Sequence, residues 1–235
     1  MRIEKLPMIL RYTSCVLVPW GGYYFLASSG IDRLVVCSYE AALCRWERTL
    51  LGGASSPELF AGLMKYAPFN GFMVAVYISF YAVLLGTPAW LMWKQREDAF
   101  RSLRYVWALA GLFGYPVYFL VPAKSPYYVL GLYDHPGFSF SQALVHRALE
   151  GGVAFPHDAF PSMHVAFSTL AVLVVGRVVG RHARIGLWVW LILLLVSVMA
   201  TGAHWGVDVA AGLFLGGAVY TLYSLRKGAV RCGSS

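Results

Sequence analysis

Six runs of mostly apolar residues, at 11–30, 69–93, 104–122, 163–180, 185–203 and 207–225, take up most of this 235-residue chain. Each is close to the roughly 20 residues that a helix needs to cross the hydrocarbon core of a bilayer. Lipid offers no hydrogen bonds, so a chain with such runs must satisfy its backbone internally, and helices do that. The expected fold is therefore all-α: a polytopic membrane protein, a six-transmembrane-helix bundle forming one membrane domain over 1–235. Only 13% of the residues are charged, against about a quarter in a soluble domain. The first run follows Arg2, Lys5 and Arg11 and contains Trp20, Tyr23 and Tyr24; its length and interfacial aromatics fit a retained span better than a cleaved leader.

The charges are distributed unevenly between the connections. With Arg104 and Arg177 at the span ends included, the side holding the N-terminus, 94–103, 181–184 and the C-terminus carries 13 basic and three acidic residues, and the other side six basic and eight acidic. The positive-inside rule places both termini in the cytoplasm of a plasma or inner membrane, with the long connections 31–66 and 121–161 outside. Basic clusters of this kind, set between apolar runs, read as topology signal and lipid contact, and the net charge of +8 gives no reason to expect nucleic acid. Within 31–66, Leu34, Cys37, Ala41 and Cys44 recur at helical spacing among charges, which predicts an amphipathic helix resting on the interface, then a turn at Ser55-Ser56-Pro57. Cys15, Cys37, Cys44 and Cys232 show no metal or redox spacing and read as ordinary apolar residues.

Polar residues able to do chemistry gather at the outer ends of the later spans. Lys124 follows the third, His164 opens the fourth within Phe160-Pro161-Ser162-Met163-His164, and His204 and Asp208 flank the junction of the fifth and sixth. Four residues apart on a helix, His204 and Asp208 share a face; a carboxylate there can hold the proton of one ring nitrogen and leave the other free to attack. Pro161-Ser162 marks a helix start, where unpaired N–H groups and a hydroxyl can hold a phosphate or carboxylate oxygen, although such a serine is more often only a cap. His164, one turn in, is placed to protonate a leaving oxygen, and Lys124 to neutralise an anion. An ionisable Asp208 at the start of an apolar run is costly enough to suggest a function, whereas His135, His146, His157 and His182 read mainly as interfacial residues.

The segments Pro161-Ser162-Met163-His164 and His204-Trp205-Gly206-Val207-Asp208 resemble the second and third signature motifs of the type 2 phosphatidic acid phosphatase superfamily, membrane branch. F-P-S-x-H followed by T-x-x-H-aromatic-x-x-D is more similar to the inositol phosphorylceramide synthase-related subgroup. The resemblance implies phosphoryl transfer through a phosphohistidine, with His204 as nucleophile, Asp208 as its orienting partner, His164 as general acid and Ser162 on the phosphate. Three positions depart from the pattern: Gly131 stands where the first motif has arginine, Val198 where the third has arginine after Ser197, and Met163 where the second has glycine. Lys124 matches the first motif loosely, and Tyr127, Arg147 and His157 are the candidates for the missing phosphate donors. A lipid phosphate substrate, an alcohol or lipid acceptor if the reaction is transfer, and no metal or cofactor are implied. The other reading is a non-catalytic lipid-binding or transport protein that kept the fold and uses the same His and Asp residues as a proton relay.

Overall fold

The computed structural model describes residues 7–29, 35, 37–131 and 157–232. Among the described residues all regular elements are helices, joined by turns and short irregular segments, with one isolated parallel bridge between Ala123 and Asp158. The first apolar run is helical but interrupted: α1 (Met8–Val16) passes through a π-helical stretch, Leu17–Gly22, into α2 (Tyr23–Ser28). Pro19 lies in that stretch and has no N–H to continue the ladder, which fits the local shift of register. Two short helices follow, α3 (Glu40–Leu50) and α4 (Ser56–Met64). The long helices are α5 (Ala67–Trp93), α6 (Glu97–Leu120), α9 (Arg181–Ala200) and α10 (Gly206–Cys232); α7 (Pro126–Val129) is a single turn and α8 (Met163–Val175) is the central, shorter helix.

Among the described residues, three helices are long and apolar enough to cross a membrane: α5, α9, and α10 over Gly206–Lys227. α6 begins with Glu97 and Asp98 and also carries Arg101 and Arg104. α8 has 13 residues, 11 of them buried. It is the hub of the bundle, packed against α5, α6, α9 and α10, so its all-round apolar sequence faces protein rather than lipid. α10 comes closest to it. A Cβ at Gly212 would stand 2.4 Å from the Ser162 carbonyl oxygen, and one at Gly216 would be 3.0 Å from that of Ala166. Glycines four apart thus let two backbones meet, as small residues do in membrane helix pairs.

Neighbouring long helices run in opposite directions, which gives the bundle two distinct ends. One gathers Arg11, Glu97, Arg101 and Arg226. The other gathers α3, α4, the 121–131 and 157–162 segments, and the α9–α10 junction. α3 is amphipathic and carries the Ala41 and Cys44 part of the expected helix, but it starts at Glu40: Cys37 precedes it and Leu34 lies outside the described residues. Leu43, Cys44 and Glu47 are buried against the rest of the protein, while Trp46 and Leu50 are 64% and 77% exposed.

Candidate active site

The turn after α9 and the start of α8 bring His204 and His164 together, ring edge to ring, with centroids 5.2 Å apart. His164 Nδ1 lies 3.0 Å from His204 Nε2. His204 Nδ1 lies 2.9 Å from the carbonyl oxygen of Ala159, an atom that can only accept, so Nδ1 carries the proton. In the neutral ring Nε2 is then the bare nitrogen, and His164 donates to it from Nδ1. His164 Nε2 is left to accept from the Tyr77 hydroxyl, 3.3 Å away on α5. A directed chain therefore runs from Tyr77 through both imidazoles to the Ala159 carbonyl.

Asp208 is completely buried. Its Oδ2 is 3.7 Å from His204 Nδ1, beyond hydrogen-bond reach, and accepts instead from the Trp205 N–H at 2.8 Å. Its Oδ1 has no hydrogen-bond partner among the described residues. The His204 ring is thus oriented by a backbone carbonyl, with the Asp208 carboxyl fixing the turn that carries it.

The other residues singled out from the sequence frame this pair. Ser162 is fully buried, and its oxygen accepts from the Val165 N–H at 3.4 Å as the N-cap of α8. Its own N–H is held by the Asp208 carbonyl at 3.0 Å. Lys124 contributes its backbone carbonyl to the Trp205 indole N–H at 3.0 Å, and the Tyr127 N–H reaches the Gly202 carbonyl at 2.9 Å. His157 precedes Asp158, which pairs with Ala123. Segments 123–127 and 157–162 therefore close on the histidine turn from two sides. Arg147, His135 and His146 lie outside the described residues.

Sequence reading missed four contributors: Tyr77, the Ala159 carbonyl, Glu47 and Ser56. Tyr77 is one aromatic among many in an apolar run, and a carbonyl has no sequence signature. Glu47 did leave a signal, as an acidic residue on the same helical face as Leu43 and Cys44. Beside them, Ser55 and Glu58 form a capping box at the start of α4. The Arg48 guanidinium bonds Glu58 and is the main cause holding its carboxyl down to about 2, helped by the Ser55 N–H and hydroxyl and opposed by partial burial.

His164 sits among aromatic rings, with centroids of Phe80 at 4.6 Å, Tyr77 at 5.3 Å and Tyr81 at 6.2 Å. It also lines a cavity whose walls include Trp20, Tyr23, Tyr115 and Tyr118, with Asp158 beside them. Such a mostly apolar cavity with a few polar groups suits a ligand that is part lipid.

No curated protein and no solved structure is significantly similar to the chain. A family model, that of the PAP2 superfamily, matches residues 41–222, a stretch that includes α3 apart from Glu40, the His164–His204 pair and Asp208. The chain belongs to the PAP2 superfamily.

Proposed function

We propose that this protein is a membrane enzyme that cleaves a lipid phosphoester through a phosphohistidine on His204. The observation that carries the reading is the histidine pair: an Nε2 kept bare by the Ala159 carbonyl, with a second imidazole 3.0 Å away. Superfamily membership supports phosphatase or phosphotransferase chemistry on a lipid phosphate.

In the first half-reaction, the phosphate enters between the rings and the His204 Nε2 lone pair attacks phosphorus. The N–P bond forms as the bond to the lipid alcohol oxygen breaks, and that oxygen takes a proton from protonated His164. The Tyr77 hydroxyl serves both forms of His164, donating to a bare Nε2 and accepting from a protonated one. In the second half-reaction, His164 removes a proton from water or an alcohol, whose oxygen attacks phosphorus and releases His204. Water gives hydrolysis; an alcohol gives the headgroup transfer expected of the inositol phosphorylceramide synthase-related subgroup. Asp208, 3.7 Å from His204 Nδ1, favours the positive charge that ring acquires on attack. Lys124, Ser162, Tyr127, Arg147 and His157 remain the proposed phosphate-side residues. The aromatic cavity beside His164 receives the lipid part of the leaving alcohol.

The proposed topology has six spans: the α1–α2 stretch, α5, α6, α8, α9 and α10. Both termini are cytoplasmic and the histidines lie toward the extracytoplasmic face, as the charge distribution supports. Purified protein offered labelled lipid phosphates, with and without acceptor alcohols, tests the reading. Turnover should be abolished in His204→Ala and fall by about 10²- to 10⁴-fold in His164→Ala, and the labelled product should be free phosphate or a phospho-alcohol. Full turnover in His204→Ala would rule the mechanism out.

A further inference from the structure

Glu47 is a carboxylate only 2% exposed on a helix that otherwise turns Trp46 and Leu50 outward. Burying such a group is unfavourable unless hydrogen bonds compensate, and its bonds connect two distant parts of the chain. Oε2 accepts from the Ser56 N–H at 2.8 Å and the Ser56 hydroxyl at 2.9 Å, while Oε1 accepts from the Val207 N–H at 2.9 Å. The Ser56 oxygen in turn accepts from the Gly206 N–H at 2.8 Å. With Asp208 holding the Trp205 N–H, the three amides that follow His204 each have a fixed acceptor. These are the donors that a helix start leaves unsatisfied, where negative charge is favoured. Gly206 keeps room for this contact, since a Cβ there would stand 3.1 Å from Glu47 Oε1.

Resting on the phosphohistidine reading above, we infer that Glu47 is a positioning residue, which holds the His204 turn in register with His164 by clamping the first turn of α10. Glu47 does not touch the reacting atoms. Its effect passes through Val207 and, by way of Ser56, through Gly206. The second imidazole comes from α8, a different helix, so a loosened α10 start alters the 3.0 Å approach of the two rings. A misplacement of about 1 Å at a reacting centre can lower a rate by about 100-fold.

The test compares wild type, Glu47→Gln, Glu47→Ala, Glu47→Asp, Ser56→Ala and His204→Ala as monodisperse proteins in detergent. Turnover is followed on vesicles carrying labelled phosphatidate, polyprenyl phosphate or phosphatidylinositol. Carbethoxylation of His204 by diethyl pyrocarbonate, read by mass spectrometry, runs in parallel and needs no substrate. Glu47→Gln keeps the shape but sets an amide N–H against the Ser56 N–H, so kcat should fall by about 10- to 100-fold with KM within about twofold. Ser56→Ala should fall less, and His204 carbethoxylation should change rate in every Glu47 variant. A folded Glu47→Gln or Glu47→Asp with wild-type kcat and wild-type His204 reactivity overturns the inference. Failure of wild type to turn over any of the lipids, or equal rates in wild type and His204→Ala, overturns the phosphohistidine reading instead. The carbethoxylation rates then still decide whether Glu47 positions His204.

Discussion

At one end of the bundle the Arg11 guanidinium meets Glu97, Arg101 bonds Glu97 at 3.2 Å, Arg226 reaches the Tyr105 hydroxyl at 2.6 Å and Lys94 lies 3.9 Å over the Trp93 ring. At the other end His204, Asp208, Glu47 and Ser162 are 3%, 0%, 2% and 0% exposed. Both ends are polar, but they use polarity differently. The Arg11 end pairs long, partly exposed side chains that solvent can re-solvate, so each pair is worth little. The His204 end assigns buried donors to buried acceptors, and loss of any partner strands the other. One end is held by pairs that solvent can replace; the other holds a fixed geometry.

The contrast is broken most sharply at His204. His204→Ala should abolish phosphoenzyme formation, and His164→Ala should lower turnover by about 10²- to 10⁴-fold, both measured on detergent-purified protein. Wild-type rates in either would remove the distinction between the ends. Next comes Gly212→Ala, which drives a methyl toward the Ser162 carbonyl. It should cost about 1–3 kcal/mol of stability, seen as earlier thermal unfolding. Tyr77→Phe removes the hydroxyl facing His164 Nε2. A single hydrogen bond of about 0.5–1.5 kcal/mol predicts a roughly two- to tenfold lower kcat with the fold intact.

Smaller effects sharpen the boundary between the regions. Glu58 titrates near 2 rather than its ordinary 4.5, chiefly because of Arg48. A depressed carboxyl contributes stability that is present above about 4.5 and lost as pH falls toward about 2. Arg48→Ala should raise the titration of Glu58 toward the ordinary range and flatten acid unfolding between those values, as followed by circular dichroism. Arg101→Ala at the opposite end should change turnover and stability least, by under about 0.5 kcal/mol.

Much of this contrast is legible in the sequence. The apolar runs at 69–93, 185–203 and 207–225 coincide with α5, α9 and α10 to within a few residues at most boundaries, because length and hydropathy are local properties. The run at 163–180 yields a helix ending at Val175, followed by the Gly176 and Gly180 region where the chain turns. His164, His204 and Asp208 could be grouped because motif spacing and span order place them at one end. Glu47 and Tyr77 could not, since their partners lie 160 and 87 residues away. The direct role expected for Asp208 on the His204 proton also differs from the structure. Four-residue spacing brings the pair close, but the α10 helix starts at Gly206, so His204 lies in the turn before it and bonds to Ala159 instead.

The central claim is that His204, held by its neighbours, becomes the phosphorylated group. Rapid quenching with lipid phosphate labelled at phosphorus, followed by peptide mapping, tests it directly. An acid-labile, base-stable label on the peptide containing His204, absent in His204→Ala and lost on chasing with water or acceptor alcohol, is the predicted result. Product formation with no label on His204 at any quench time would contradict it.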